Sequence, residues 1–288
     1  MINIMFCGNH VVFDGFLTAA LSILKRTDTK EPFRFIILTM DVSHIKPAYT
    51  RMTDAQAELF RCAIEKYNGD NTLELIDVTE LYKREFDGCP NEGAYCSPYT
   101  VVRLLADLID GIPDKLLYLD ADVMFNRDVR LLWDIDVSEC EYAAARDHYG
   151  KFLINPNYIN AGVLLLNMKM MKETGILGKA RALLRRKKLL FADQSALIRS
   201  TTKRRVIAGR FNDQKFLRKS TVVRHFSKRL FYLPYPHTDN VKQWQVERVH
   251  KIFGYHVFDD IFDEYLTLIG KNKGLPAERE EIQCKSPR

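Results

Sequence analysis

The run from Lys115 to Val123, Lys-Leu-Leu-Tyr-Leu-Asp-Ala-Asp-Val, constrains the fold of this chain more than any other segment. A strand suited to burial breaks abruptly into two carboxylates one residue apart. Asp120 and Asp122 therefore fall at the carboxyl end of that strand, the edge of an open α/β sheet at which ligands bind. Residues i and i+2 of an extended segment share a side, so both carboxylates can address one cation. Oxygen ligands suit a hard divalent ion such as Mg2+ or Mn2+, which commonly also holds substrate phosphates. The competing assignment is structural: an acidic pair after a strand can simply cap the helix that follows.

The flanking sequence supplies the rest of such a sheet. Residues 2–7 read as a first strand, 14–24 as a helix with Phe16, Ala19, Ala20, Ile23 and Leu24 on one face, and 34–39 as a second buried strand. A helix over 53–67, with Thr53 or Asp54 as its N-cap, leads to a third strand at 73–78. This alternation predicts an α/β fold, a Rossmann-like, mostly parallel mixed sheet flanked by helices. After a turn-rich loop over 88–98, Val101, Leu104, Leu105, Leu108 and Ile109 recur at helical spacing, up to Gly111 and Pro113. Further strands are expected at 141–146, 160–168 and 221–226, and a basic helix over 169–190. From about residue 240 the pattern turns helical and aromatic, and 271–288 reads as a polar tail. The expected division is a main α/β domain at 1–245 and a small C-terminal helical extension with its tail at 246–288.

Of 288 residues, 43 are basic and 37 acidic, a net charge of +6 that is unevenly spread. Lys179, Arg181, Arg185, Arg186, Lys187 and Lys188 form one group, and Lys203, Arg204 and Arg205 a second. Lys215, Arg218, Lys219, Arg224, Lys228 and Arg229 form a third. Such density suits an anionic lipid surface, a phosphorylated substrate or nucleic acid, or is a solvated helix face. No nucleic-acid partner is expected, because the aromatics lie in apolar core patterns and no RNA-binding signature is present. The opening Met-Ile-Asn-Ile-Met-Phe-Cys reads as a strand rather than a signal peptide. No apolar run reaches the ~20 residues of a transmembrane helix. Six cysteines without a Cys-x-x-Cys spacing read as reduced thiols. A cytoplasmic protein is expected, with peripheral contact at the inner face of a membrane through its basic groups and the aromatics Phe231, Tyr232 and Tyr235.

Four segments stand in order: Lys115–Val123, Asn160-Ala161-Gly162, Ala192-Asp193-Gln194 and Val223–Phe226. Together they resemble glycosyltransferase family 8, the retaining sugar-nucleotide-dependent transferases that include bacterial lipopolysaccharide glucosyl- and galactosyltransferases. The resemblance covers roughly residues 1–245 and implies a GT-A fold, one nucleotide-sugar-binding catalytic domain. It implies that Asp120 and Asp122 hold Mn2+ (or Mg2+) against the donor diphosphate, with His225 as third protein ligand. Arg103, 17 residues before Asp120, matches a donor-proximal arginine; its bland alternative is an ion pair with Asp107 on an exposed helical face. Asp147 resembles an aspartate that contacts the donor sugar, and Asn160, Ala161 and Gly162 the small-residue segment beneath it. Asp193 and Gln194 resemble the pair under the anomeric carbon, although Asp193 could equally cap a helix through 195–198.

Cys7, Asn9 and Ala121 complete the expected nucleotide contacts. Departures from the family pattern cluster at the two ends of the donor. Val11 stands where many members carry an asparagine for uridine, which leaves Asn9 as the amide able to bond base or ribose. Ser227-Lys228-Arg229 follows the late histidine in place of the usual Gly and Lys, so Lys242 is the expected diphosphate lysine. The implied reaction moves a hexose, glucose or galactose, from a UDP-sugar to a glycan or glycolipid acceptor with retained anomeric configuration. Because an amide is a poor nucleophile, front-face attack is expected over double displacement through Gln194. Two rival functions keep the same residues: a haloacid dehalogenase-like phosphatase using the Asp-x-Asp pair, and a non-catalytic basic nucleic-acid-binding module. Val123-Met124-Phe125 argues against the phosphatase, in which a Thr or Gly usually follows closely.

Overall fold

The computed structural model describes residues 1–92, 97–231, 235 and 237–270. Alternating units open it: β1 (Ile2–Cys7), α1 (Phe13–Arg26), β2 (Phe33–Thr39), α2 (Asp54–Glu65), β3 (Thr72–Asp77) and α3 (Thr79–Phe86). A 3-10 helix over Pro98–Leu108 leads into β4 (Lys115–Leu119) and the short β5 (Val123–Phe125). Then come α4 (Arg130–Trp133), β6 (Tyr142–Arg146), α5 (Gly150–Leu153), β7 (Ile159–Asn167), α6 (Met168–Thr174), α7 (Ile176–Arg186), α8 (Ala192–Ser200) and β8 (Arg204–Ile207). The last elements are β9 (Val223–His225), β10 (Arg229–Phe231), β11 (His237–Asp239), α9 (Val246–Phe253) and α10 (Asp259–Leu268).

Seven strands form one sheet in the order β3-β2-β1-β4-β7-β6-β8. All its pairings are parallel except the two made by β7, with β4 and with β6. The expected α/β sheet is therefore present. Its order places a switch point between β1 and β4, because the chain winds outward through β2 and β3 and then returns to the other side of β1. A crevice opens at such a reversal. The carboxyl ends of β1, β4 and β6 and the amino end of β7 share that edge.

Period-two alternation explains why the central strands are apolar throughout. Ile4, Phe6, Leu117 and Leu119 face a core built with Phe16, Ala20 and Ile23 of α1. Met5, Cys7, Leu116 and Tyr118 face a second core with Tyr82, Leu104, Leu105 and Leu184. Helix α2 begins with the expected cap: Thr53 and Gln56 exchange side-chain-to-backbone hydrogen bonds of 3.2 and 3.1 Å. Helix α10 lies on α1, and α9 adds to the same core. Val249, Phe258, Ile261, Phe262 and Tyr265 belong to the same core as Phe16, and Arg26 of α1 forks onto Asp260 at 2.7 and 2.8 Å.

Several local expectations are corrected. The helix after Pro98 is wound as a 3-10 helix, and Arg103 on it is buried rather than on an exposed face. The basic helix over 169–190 breaks at Gly175, whose φ of +64° ends α6 in the left-handed region open to glycine. The pair Asp120–Asp122 does not continue the strand; Ala121 and Asp122 form a turn between β4 and β5. Asp193 lies inside the first turn of α8, whose cap is Phe191, so it is not the N-cap. Cys7, Cys89 and Cys140 are free and buried, but Cys62 is disulfide-bonded, against the expectation of reduced thiols. Tyr232 and the tail 271–288 lie outside the described residues. No described helix is long and apolar enough to cross a membrane.

Candidate active site

The turn after β4 and the end of β9 meet. Strand β9 pairs with β5, Val123 opposite His225, which brings the histidine alongside the two aspartates. One ligand atom from each of Asp120, Asp122 and His225 lies within 4.8 Å of the others. His225 Nε2 is 3.0 Å from Asp122 Oδ1 and 3.9 Å from Asp120 Oδ2. Gly162, on β7, forms the floor: a Cβ there would lie 2.3 Å from His225 Cε1 and 2.7 Å from Asp120 Oδ2. Two carboxylates and an imidazole converging over a floor with no side chain fit a divalent ion of the Mn2+ type. Lys242 Nζ contacts Asp122 Oδ2 and also donates to the Phe226 carbonyl at 3.2 Å. Burial alone would raise the Asp122 pKa; the Lys242 ammonium and His225 outweigh it and hold the carboxyl well below the usual range.

A chain of amides orients the histidine. Asn160 Nδ2 donates to Asp147 Oδ2 at 2.9 Å, which leaves Asn160 Oδ1 to accept from Gly162 N at 3.0 Å and from Asn212 Nδ2 at 2.8 Å. Asn212 Oδ1 is thereby the atom that faces His225 Nδ1, at 2.9 Å. A carboxylate at one end and a backbone N–H along the way fix every amide in the series. His225 therefore donates from Nδ1 to Asn212, which turns Nε2 toward Asp120 and Asp122, where it would offer its lone pair to a metal ion.

Arg103 ties the site to its far wall. Its Nη2 donates to Asp120 Oδ1 at 3.0 Å, its Nη1 to the Ala161 carbonyl, and its Nε lies 3.3 Å from Asp193 Oδ2. The guanidinium stacks over Tyr118 at 4.0 Å, and Tyr118 itself donates to Asp120 Oδ1 at 2.6 Å. Burial disfavours the Arg103 charge, but Tyr118, Asp120 and Asp193 outweigh it and raise its pKa. Burial pushes the Asp193 carboxyl up despite Arg103. Gln194 Oε1 accepts from Ala161 N at 3.0 Å. Between the ends of β1 and β4 lies a cavity of about 150 Å3 lined by Cys7, Asn9, Tyr99, Arg103, Asp120 and Ala121, among others.

The family profile described as Glycosyl transferase family 8 matches residues 3–212. This chain belongs to glycosyltransferase family 8. A putative glycosyltransferase of Haemophilus influenzae is 29% identical over 189 residues, covering 62% of this chain and 52% of that protein. GlyA, a glycosyltransferase of Streptococcus pneumoniae, is 27% identical over 180 residues, 61% of this chain and 22% of its own length. The chain thus spans about half the length of the first relative and about a fifth of the second. In fold it is similar to the galactosyltransferase LgtC solved with donor and acceptor sugar analogues, with a TM-score of 0.64 and 19% identity over 96% of this chain and 98% of that one. The bifunctional glycosyltransferase WbbM superposes with a TM-score of 0.65 and 16% identity, covering 95% of this chain and 52% of that one. The family 8 chain therefore has the GT-A fold.

In this family 8 chain, the residues expected at the site gather at one edge of the sheet. Asp147 caps a turn, accepting from Tyr149 N and Gly150 N at 3.0 and 2.6 Å, while its second oxygen serves Asn160. Asp107 pairs with Arg181 rather than with Arg103. Asn9 is buried and donates to the Ala48 carbonyl at 3.0 Å. The Ala121 carbonyl accepts from the buried Gln243 at 2.7 Å, and a Cβ on Gly15 of α1 would lie 2.3 Å from it. Sequence reasoning missed Asn212, Tyr118, Gln243 and Gly15. For Tyr118 the signal was available, since it sits two residues before Asp120 and so points to the same side of β4. Nothing in the sequence linked Asn212 to His225.

Proposed function

We propose that this protein is a retaining hexosyltransferase that moves glucose or galactose from a UDP-sugar to a hydroxyl of a glycan or glycolipid, with Mn2+ (or Mg2+) as its ion. The convergence of Asp120, Asp122 and His225 over Gly162 carries this proposal. When bound, the ion supplies Lewis-acid stabilisation of the charge that develops on the departing diphosphate. Lys242, now against Asp122, adds positive charge to the same group, and the Arg103 guanidinium keeps Asp120 oriented while charge develops. The cavity at Cys7, Asn9 and Ala121 takes the nucleoside. Asp147, Asn160, Ala161 and Gly162 hold the hexose.

Asp193 and Gln194 bear on the stereochemical course. The Gln194 oxygen is engaged by Ala161 N, and Asp193 is buried against Arg103. Neither is a free nucleophile, which favours front-face attack through an oxocarbenium-like state, with the leaving phosphate oxygen taking the acceptor's proton. A glycosyl–Asp193 adduct found by mass spectrometry after quenching would overturn that course. The phosphatase alternative is disfavoured because Asp120, its required nucleophile, is engaged by Tyr118, Arg103 and the His225 side of the site.

The catalytic unit is proposed to be 1–245, with 246–288 as an extension. The protein is placed in the cytoplasm, held peripherally at the membrane by its exposed basic groups. Within the basic clusters, Arg181 and Arg224 are instead buried and serve the fold. Thermal-shift screening of sugar nucleotides with and without Mn2+ tests the central reading: stabilisation by UDP-hexoses only with the ion supports it, and the absence of any such shift would refute it.

A further inference from the structure

Outside the active site, one other described group has the geometry of a metal centre. His250 in the last turn of α9, His256 in the connecting loop and Asp259 at the start of α10 place one ligand atom each within 4.8 Å of the others. The two imidazoles stack at 4.6 Å with an interplanar angle of 23°. His250 Nε2 is 2.7 Å from Asp259 Oδ1, and His256 Nδ1 is 3.1 Å from Asp259 Oδ2. The positions are set by the backbone. Gly254, at a φ of +63°, turns the chain out of α9, and the Asp259 N–H donates to the His256 carbonyl at 3.1 Å. His250 also packs edge-on against the buried Phe262 of α10.

We infer that His250, His256 and Asp259 form a second metal site, selective for a Zn2+-class ion and separate from the sugar-transfer centre. The donor sets explain the separation. Two carboxylates and one imidazole favour a hard ion, whereas two imidazoles and one carboxylate favour Zn2+ over Mn2+. Three protein ligands leave the fourth tetrahedral position open to water. Each imidazole binds through a lone pair, so the proton on each inner nitrogen shifts to the outer one as the ion enters between the rings and the carboxylate. Bound there, the ion ties α9 to α10, and α10 is fastened to α1 through Arg26–Asp260 and Lys25–Glu264. The site is a staple for the C-terminal helices, not a participant in transfer.

Tag-free protein carrying Asp122→Ala isolates this site, because the substitution removes a ligand of the other centre. Calorimetric titration with Zn2+ is expected to show about one tight equivalent, lost when His256→Ala is added. Zn2+ is expected to raise the melting temperature of Asp122→Ala but not of Asp122→Ala/His256→Ala. His256 is largely exposed, so its replacement alone leaves the apo fold and Mn2+-dependent UDP binding unchanged. In the wild-type background the same replacement removes one Zn2+ equivalent and leaves UDP binding, which separates failure of this site from failure of the proposed function. Zn2+ binding that is unchanged by His256→Ala in both backgrounds, or no Zn2+ binding to Asp122→Ala, overturns the inference.

Discussion

The Asn212 side-chain oxygen accepts a hydrogen bond from His225 Nδ1 at 2.9 Å, and this contact decides which nitrogen of the imidazole faces Asp120 and Asp122. Replacing Asn212 with Ala frees the ring to rotate and to change tautomer. Groups that orient a metal-bound histidine typically contribute 10–100-fold in affinity or activity. Asn212→Ala is expected to weaken Mn2+-dependent UDP binding by about that factor, read by calorimetry; an unchanged affinity would show that the ring is held by other means.

Gly162→Ala addresses the same floor from below. The new methyl would sit 2.3 Å from His225 Cε1 and 2.7 Å from Asp120 Oδ2, closer than either contact allows, so both side chains must give way or the backbone must shift. Mn2+-dependent binding of UDP is expected to fall sharply, with far-UV circular dichroism retained. A variant that binds UDP and Mn2+ as wild type does would mean that His225 is not a ligand.

Asp122→Ala removes one ligand and the partner of Lys242. Transfer and metal-dependent UDP binding are expected to disappear while the fold persists, because Lys242 still reaches the Phe226 carbonyl. Wild-type affinity in a titration with Mn2+ would count against the whole assignment.

Arg103 is expected to matter for stability as well as for the donor. Arg103→Met leaves Asp193, 6% exposed, and the neighbouring Asp120 without their shared cation. Removing one partner of a buried pair costs about 3–5 kcal/mol. Urea denaturation of the variant should show a loss of that order. A loss below about 1 kcal/mol, the range of exposed pairs, would mean that Asp193 is neutral in the native protein.

Acid sensitivity is expected where α10 meets α1. Burial alone would raise the Glu264 pKa, but the hydrogen bonds from Tyr67, at 2.6 Å, and Lys25, at 2.9 Å, hold it below the usual carboxylate range. A carboxylate depressed in the native state stabilises fully above its unfolded pKa, near 4, and loses that contribution as pH falls toward the native value. Glu264→Gln should therefore cost about 1–3 kcal/mol at neutral pH, and the difference from wild type should narrow below about pH 4. A pH-independent difference in urea midpoints would contradict this.

Much of the fold was legible because its signals are local. Apolar runs marked β1, β2 and β4, and Thr53 marked the start of α2. The switch point between β1 and β4 was not read from the sequence, because the order of strands in a sheet is set by tertiary pairing. Side-chain partnerships across long separations were not legible. Arg103 reads equally well as a surface partner of Asp107, and only the fold shows Asp107 taken by Arg181. The 3-10 winding of Pro98–Leu108 was hidden, because its apolar spacing is also that of an α-helix. Asn212 was missed because a polar residue in a loop carries no sign of the histidine 13 residues away that it will orient.

Gly15 has a consequence that reaches past its own contact. It lets α1 press against the Ala121 carbonyl on one side and the Trp244 ring on the other, with no room for a methyl group at either. The same helix is gripped at its far end by Asp260 and Glu264 of α10. The aspartate turn and the C-terminal helices are thus both seated on one helix, so the packing that fixes α10 and the packing that fixes the place where Asp120 and Asp122 point share a single support.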